Sequence, residues 1–288
     1  METCRLFGIN RQVYYRSIKS QRQRKDVADK VVGLVQKVRM RQPEIGTRKL
    51  YVNLHTKLKQ LGVGRDRLFA IMKANHLDIK PKKQYHVTTN SYHRFKKHKN
   101  LTENLVLSRP EQLWVSDITY IGTRQSPMYL SLVTDAYSKQ IVGYDVSKSL
   151  HTTGAKRALE RAIKQRSYPK EELIHHSDRG LQYCSDEYQK VLSKHGIKCS
   201  MTEKYDPYQN AIAERINGIL KQEFIRGIKT NDLELMQKLI EQSVYIYNHE
   251  RPHWSCYMKT PNFMHRQRKI KIRTYKTKNS TKKNLSAI

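Results

Sequence analysis

Three acidic residues, far apart along the chain, stand where carboxylates can do chemistry. Asp117 lies inside the apolar and aromatic run LWVSDITYI, where a charged side chain is costly to desolvate unless it is paired or binds a metal. Asp178 follows the apolar stretch 173–176 and precedes Gly180, a strand end of the kind that presents side chains into a crevice of an α/β sheet. Glu214 lies on the first turns of a predicted helix. If these elements are neighbours, the three acids converge, and their repulsion predicts hard divalent cations, above all Mg²⁺.

Each acid taken alone also has a purely structural interpretation. Asp117 can be a strand residue paired with a lysine, Asp178 a turn aspartate, and Glu214 a solvated helix residue. The functional interpretation therefore depends on the joint pattern. Zinc and a disulfide framework are disfavoured because the cysteines lie far apart and form no CxxC pair, which favours a reducing cytoplasm. The cysteines are Cys4, Cys184, Cys199 and Cys256.

The hydrophobic patterns around the acids predict a mixed sheet flanked by helices. The first three strands follow one another closely, which is typical of an antiparallel meander, and the remaining strands alternate with helices. The predicted strands span 113–121, 128–134, 140–146, 173–176 and 197–201, and the predicted helices span 151–166, 185–195, 209–226 and 233–247.

The N-terminal region is predicted to be helical and to bind DNA. The run LFGINRQVYYR fits the turn and second helix of a helix-turn-helix, with Asn10 as its cap and Arg11 and Arg16 on the second helix. Apolar stripes predict further helices up to about residue 72. Cations on their outer faces either contact phosphates or form a solvated surface. These cations include Arg48, Arg65 and Arg67.

The charge balance predicts a polyanionic partner. Lys and Arg total 56 against 25 acidic residues, giving a formal net charge of +31. Positive residues occur in the N-terminal third, in the stretch 81–100 and after residue 266, so nucleic acid is favoured over a basic tail on an unrelated enzyme. No apolar run approaches the roughly 18 residues of a membrane span, and no phosphate-binding GxxxxGK[ST] loop occurs. We expect a cytoplasmic protein without a membrane partner.

The three acids and the segments around them resemble a known family. Asp117 in WVSDITYI, Asp178 in HHSDRGLQY, and Glu214 in NAIAERINGILKQEF, 36 positions after Asp178, resemble the DDE motif of retroviral-integrase-like (rve) transposases. More narrowly, the chain resembles the OrfB protein of bacterial insertion sequences with two overlapping frames. The likeness runs from CRLFGINRQVYYR at the start to YNHERPHWSCYMKTP near the end.

The resemblance implies a fold and a domain organisation. The expected fold is α/β, with an RNase H-like mixed five-stranded sheet flanked by helices and preceded by an all-α helix-turn-helix region. The expected segments are a DNA-binding region at 1–80, a basic linker at 81–108, a catalytic core at 109–228, and a C-terminal helix and basic tail at 229–288.

The resemblance also implies a mechanism. Two Mg²⁺ ions, for which Mn²⁺ can substitute, would be held by the acids, with Asp117 bridging both and Asp178 and Glu214 each holding one. Water would attack in strand cleavage and a 3′-hydroxyl in strand transfer. The implied partners are insertion-sequence end DNA, target DNA, further copies of the chain on DNA, and the upstream-frame protein, to which the chain is either fused or bound. The resemblance also implies a bacterial, nucleoid-associated protein.

Two cations near the acids are predicted to contact DNA. Lys221 follows Glu214 by seven positions, which at about 3.6 residues per turn returns it to nearly the same helix face. We predict that it binds a phosphate of the element's end, the alternative being a solvated helix lysine. Arg179 either braces the loop of Asp178 or contacts phosphate.

Other polar residues in these segments have open roles. His175 and His176 suit either acid–base or metal chemistry, or packing inside the protein. Asn210 is predicted to cap the helix of Glu214. The segment 251–253 is expected to dock onto the core without a chemical role.

Two competing functions stay open at this point. An RNase H-like nuclease would only hydrolyse DNA, whereas a transposase also joins strands. An inactive copy that acts as a DNA-binding repressor would bind element ends without metal-dependent catalysis.

Overall fold

The computed structural model of the chain describes residues 4, 6–79, 98–103, 105–123, 125–202 and 210–273. The chain divides into two compact units, Met1–Lys83 and Gln84–Ile288. Most of the predicted basic linker, the loop before the helix of Glu214, and the end of the basic tail lie outside the described residues.

The first unit is helical, as the sequence predicts. Helix α1 (Arg11–Arg39) is followed by α2 (Thr47–Asn53), α3 (His55–Gln60) and α4 (Arg65–Ala74). Asn10 caps α1, since its Oδ1 accepts a hydrogen bond of 2.9 Å from the backbone N–H of Gln12. Apolar side chains at helical spacing form the core of the unit. This core contains Val31, Val35, Ile45, Leu50, Leu54, Leu58, Leu68 and Met72.

Helix boundaries in this unit differ in two places from those that the hydrophobic pattern predicts. The segment with Arg11 and Arg16 and the stripe that begins at Val31 belong to one continuous helix. The apolar stripe 50–58 is divided at Leu54, whose φ of −100° and ψ of 5° depart from helical values. Leu54 nevertheless stays buried, so the break changes the chain direction without exposing the core.

The second unit is built on a mixed five-stranded sheet. Its strands are β1 (Leu113–Gly122), β2 (Pro127–Asp135), β3 (Ile141–Ser147), β4 (Ile174–Ser177) and β5 (Lys198–Met201). The strand order is β3-β2-β1-β4-β5, in which β2 pairs antiparallel with β1 and β3, whereas β4 pairs parallel with β1 and β5. The predicted strands and the mixed sheet are confirmed.

Helices cover both faces of this sheet. Successive side chains of a strand point to opposite faces, so β1 contributes to apolar clusters on both faces. Trp114 packs with α5 (Thr152–Lys164) and α7 (Asp186–Lys194), while Ile121 packs with α8 (Ala211–Ile219). A short helix, α6 (Leu181–Cys184), precedes α7. This arrangement is the RNase H-like fold that the sequence predicts.

The chain beyond α8 packs back onto the same unit. A π-helical turn (Leu220–Phe224) follows α8 directly, so the predicted helix 209–226 is an α-helix that changes to a π turn. Helix α9 (Leu233–His249) then buries Met236, Ile240 and Tyr247 in the cluster that contains Ile216 and Leu220. A 3₁₀ turn (Trp254–Cys256) and α10 (Pro261–His265) complete the described part of this unit.

Candidate active site

Asp117 lies in the middle of β1, on the face that α8 covers. It is partly buried, and its Oδ1 accepts a hydrogen bond of 2.9 Å from the backbone N–H of Ile118. Loss of solvent, followed by repulsion from Asp178 and Glu214, raises the pKa of Asp117 to about 7. Both other acids therefore act electrostatically on Asp117.

Asp178 and Glu214 come from two further elements. Asp178 follows the last residue of β4, which pairs parallel with β1 so that Ser177 lies opposite Ser116. Its Oδ1 accepts a hydrogen bond of 3.0 Å from the N–H of Gly180, so the turn interpretation of Asp178 is also correct. Glu214 lies in the first turn of α8, where loss of solvent and repulsion from Asp178 raise its pKa. The three acids thus influence one another, as the joint pattern predicts.

Two asparagines support this site in ways that the sequence did not reveal. The Nδ2 of Asn217 donates a hydrogen bond of 2.8 Å to Oδ2 of Asp117, and this bond opposes the rise in the pKa of Asp117. Asn210 occupies the N-cap position of α8, as predicted, and its carbonyl accepts a hydrogen bond of 3.2 Å from the N–H of Glu214. The side chain of Asn210 makes no capping bond and instead donates a hydrogen bond of 3.1 Å to the carbonyl of Ser116, because the neighbouring strand offers a buried acceptor.

Lys221 also faces this region. Its Nζ lies 3.4 Å from Oγ1 of Thr119, which is two positions beyond Asp117 and therefore on the same face of β1. Burial lowers the pKa of Lys221, and attraction to Asp117 partly offsets this effect. Lys221 lies in the π turn and not in the α-helix assumed from the spacing, yet it is directed toward the acids.

The residues around Asp117 fit a hard divalent cation in donor type and charge. Three carboxylates supply oxygen ligands, and a cation would offset the repulsion between them. Three buried polar atoms nearby have no hydrogen-bond partner among the described residues: Oδ1 of Asn210, Oδ1 of Asn217 and the hydroxyl of Tyr183. Tyr183 lies within the electrostatic range of Asp117 and Asp178. In the described part of the chain, no three His, Cys, Asp or Glu side chains are close enough to enclose an ion, so the acids approach one another without forming a full coordination shell.

The two histidines beside the site are packing residues. His175 is fully buried, and its Nε2 lies 2.7 Å from Oγ of Ser116 and 2.9 Å from the hydroxyl of Tyr188. Burial lowers the pKa of His175 to about 3, which keeps the ring neutral at physiological pH. The Nδ1 of His176 lies 2.8 Å from Oγ of Ser200 on β5. Both rings are therefore buried and bonded to side chains of the sheet and of α7.

The other predicted DNA contacts are distributed over both units. Arg179 is partly buried beside Asp178. In the first unit, Arg65 forms an exposed ion pair of 2.9 Å with Asp66, and Arg67 lies 3.5 Å from the carbonyl of Gly62. All five predicted cations of this unit are exposed to solvent. They are Arg11, Arg16, Arg48, Arg65 and Arg67.

Comparisons with known proteins identify the family. Two integrase core domain families match the chain, at residues 108–207 and 195–261. Transposase InsF of insertion sequence IS3A from Escherichia coli K12 is 34% identical over 157 residues, which span 54% of this chain and 54% of InsF. The 31 kDa protein of insertion element IS600 from Shigella sonnei is 34% identical over 257 residues, spanning 87% of this chain and 92% of that protein. The chain belongs to the insertion-sequence transposases with an integrase core.

Two further proteins are similar to this chain. The transposase of insertion sequence element IS629 from Shigella sonnei is 40% identical to this transposase over 125 residues, or 43% of this chain and 42% of the relative. The HTLV-2 integrase catalytic core domain, solved in complex with magnesium, is 21% identical and covers 55% of this chain and 97% of its own, with a TM-score of 0.43.

Membership of this family defines the class of activity. This transposase is an enzyme of DNA transposition with an integrase-like core, of the nucleotidyl-transferase type. In the parts of the chain that the structure describes, no helix has the length and apolar character needed to cross a membrane.

Proposed function

We propose that this transposase binds the ends of its insertion sequence and uses Asp117, Asp178 and Glu214 for divalent-metal-dependent cleavage and transfer of DNA strands. The observation that carries the proposal is the parallel pairing of β1 with β4, which places Asp178 next to Asp117, together with the bond from Asn217 that joins the helix of Glu214 to the same aspartate. Carboxylates from two strands and one helix that repel one another at a partly buried position are what an ion-binding catalytic site requires.

Each residue of the site has a role in this proposal. Asp117 would hold both Mg²⁺ ions, or Mn²⁺ in their place, while Asp178 and Glu214 would hold one each. When bound, such ions stabilise negative charge on the reacting phosphate and on the attacking and leaving oxygens. Asn217 keeps Oδ2 of Asp117 in place through its hydrogen bond. The ammonium group of Lys221 contacts a phosphate of the element's end and so orients the strand beside the acids.

The N-terminal unit supplies most of the binding energy for element ends in this proposal. Arg24, Lys30 and Arg67 line one groove of this unit together with a single acid, Asp26. A groove with this excess of cations suits a DNA phosphate backbone. We assign the exposed cations Arg11, Arg16, Arg48, Arg65 and Arg67 to the same role, and Arg179 to a phosphate near the acids.

The proposal extends to organisation and partners. Residues 1–80 bind end DNA, 81–108 link this region to the catalytic core at 109–228, and 229–288 form the C-terminal helix and basic tail. Each chain has one set of acids, whereas an element has two ends to join to target DNA, so we propose a homo-oligomer on DNA. Partnership with the upstream-frame protein and association with the nucleoid stay predictions.

A strand-transfer assay with pre-cut element ends and a target plasmid tests the proposal. Asp117→Asn, Asp178→Asn and Glu214→Gln should each reduce the yield of joined products by at least about a thousandfold, because each removes an ion-binding charge. The matched control is Glu187→Gln on α7, whose side chain is 64% exposed, and it should act like the parent. Normal activity of Asp117→Asn would refute the assigned chemistry.

The same assay separates the competing functions. Cleavage of DNA without joined products would favour the RNase H-like nuclease. Retained end binding without any catalysis, over a full titration of Mg²⁺ and Mn²⁺, would favour the repressor.

A further inference from the structure

A buried ion pair joins the C-terminal part of the second unit to the turn after α8. Arg251 follows α9 closely and is only 2% exposed. Its Nε donates a hydrogen bond of 2.7 Å to Oε2 of Glu223, and its Nη2 donates one of 2.6 Å to Oε1. Paired bonds of this kind between a guanidinium and a carboxylate fix the relative orientation of both groups. The expected docking of segment 251–253 is confirmed, but neither strand transfer nor DNA binding explains why it uses a bidentate charge pair.

Glu223 lies in the same π turn as Lys221. The turn is closed by a hydrogen bond of 3.2 Å from the N–H of Ile225 to the carbonyl of Leu220, five positions earlier. Residues two positions apart on a helical turn do not share a face. Lys221 is accordingly directed toward Thr119 and Asp117, while Glu223 is directed toward Arg251. The two side chains therefore point in different directions from one short turn, so the backbone of that turn links their orientations.

The end of α9, which precedes Arg251, is bonded to the sheet. The side-chain amide of Asn248 accepts a hydrogen bond of 3.0 Å from the N–H of Ile141 and donates one of 2.9 Å to the carbonyl of Ile141. The hydroxyl of Tyr247 donates a bond of 2.9 Å to the carbonyl of Lys139. The Arg251 guanidinium also lies 5.6 Å from the centre of the Tyr247 ring, within the range of a cation–π contact. The end of α9 is thus a fixed support for Glu223.

We propose that Arg251 is a positioning residue that acts through Glu223. The pair holds the π turn in the conformation that keeps the Lys221 ammonium beside Asp117 and Thr119, where a phosphate of the element's end is bound. Short π segments are uncommon and occur preferentially at functional sites, so a dedicated bond that holds one has a functional explanation. The inference rests on the proposed DNA contact of Lys221, and it adds a role for the C-terminal segment.

A double-mutant cycle on DNA binding tests this inference. Affinity for a pre-cut element end is measured without divalent cations over a range of salt concentrations, so catalysis does not enter. In the parent chain, Lys221→Ala should weaken binding by about tenfold and reduce the salt slope by roughly one. In a Glu223→Gln background, the same substitution should weaken binding by less than about twofold, because the lysine is no longer directed at the phosphate.

A second measurement reports on the turn itself. Amide hydrogen exchange at Ile225 should be faster in Glu223→Gln and in Arg251→Lys, which cannot form the same paired bonds. The matched control is Glu171→Gln, which removes ion pairs of 2.8 Å with Arg109 and 2.6 Å with Arg268. This control should keep both the exchange rate at Ile225 and the full effect of Lys221→Ala on binding.

Every outcome decides the inference. A full effect of Lys221→Ala in the Glu223→Gln background would leave the pair with a stabilising role only. Unchanged exchange at Ile225 would show that the pair does not hold the turn. Equal end binding by Lys221→Ala and the parent would also overturn the inference, while the carboxylate assay would still decide the proposed catalysis independently.

Discussion

At the scale of single residues, Asn217 is the hydrogen-bond partner of Asp117, the aspartate at the centre of the site. Its donated hydrogen bond stabilises the charged form of Asp117, against the loss of solvent and the repulsion that raise the pKa of this acid. Removal of a side chain that hydrogen-bonds to a metal ligand commonly lowers metal affinity ten- to a hundredfold. Asn217→Ala should therefore weaken the apparent affinity for Mg²⁺ in strand transfer by roughly tenfold or more.

The pH dependence of this variant gives a second, independent readout. Without the amide, the pKa of Asp117 rises further, so protons compete more strongly with the metal and the loss should be smaller at higher pH. The exposed Gln222, a few positions further along the same helical segment, provides the control Gln222→Ala, which should match the parent. Parent-like Mg²⁺ titrations of Asn217→Ala at every pH would show that the hydrogen bond does not support Asp117.

Residue types in the sequence predict some residues of this site but not others. Asp117 is conspicuous because a charge inside an apolar strand needs an explanation, and the positions of Asp178 and Glu214 follow from the predicted elements. Asn217 gives no such signal, since an amide on a helix is common. Its position three residues after Glu214, near the same helix face, is the one cue that the sequence offers. Asn210 lies at the predicted N-cap, but the bond from its side chain to Ser116 was not predicted, because a side-chain cap and a donor to a neighbouring strand require the same residue type.

At the scale of elements, α5 packs closely on β3, on the face of the sheet opposite Asp117. A Cβ at Gly143 would lie 2.1 Å from the carbonyl oxygen of Ala158 and 2.8 Å from the Cβ of Ala162. Arg157 of α5 is also bonded to the buried Asp145 of β3 at 3.0 and 2.7 Å, so the helix is not free to withdraw. Gly143→Ala should destabilise the protein by about 3 kcal/mol, measured by urea unfolding.

A second glycine in a helix provides the control for this prediction. A Cβ at Gly218 in α8 meets no atom within 4 Å, so Gly218→Ala should be neutral or stabilise the protein by up to about 1 kcal/mol. Similar unfolding midpoints for both alanine variants would contradict the close approach of α5 to β3.

Hydrophobic periodicity predicts the elements well and their local irregularities poorly. The five strands are recognisable because short, mostly apolar runs of strand length are separated by turn residues. The break at Leu54 and the π turn Leu220–Phe224 are not, because both keep the apolar residues on the expected side. The π turn also carries a contact from a distant segment, the bond between Glu223 and Arg251, and local periodicity does not reveal such contacts.

At the scale of the whole molecule, a buried ionic network ties α10 to the start of the sheet. Glu111 and Asp135, both almost fully buried, approach the imidazole of His265 at 3.6 and 3.8 Å. Ser138 bridges Asp135 and His265, with its Oγ 2.9 Å from Nδ1 of His265 and 2.7 Å from Oδ1 of Asp135. Arg166 adds a bond of 3.3 Å to Glu111. These residues are separated by up to 154 positions in the chain, so no local pattern in the sequence predicts their association.

This network should make the stability of the second unit depend on pH. Burial alone lowers the pKa of His265, but bonds and attraction from Asp135 and Glu111 outweigh it and raise the pKa to about 9. An unfolded histidine has a pKa of about 6.5, so the stabilisation is complete below about pH 6.5 and is lost as the pH rises through about 9. The free energy of unfolding should fall by about 3 kcal/mol over this window.

Urea unfolding of the parent and of His265→Gln between pH 6 and 9.5 measures this effect. The variant cannot hold the extra proton, so it should be less stable than the parent at pH 6 and approach the parent at pH 9.5. The exposed His195 gives the matched control His195→Gln, which should follow the parent at every pH. A constant difference between parent and His265→Gln across the window would mean that the imidazole contributes packing but no charge.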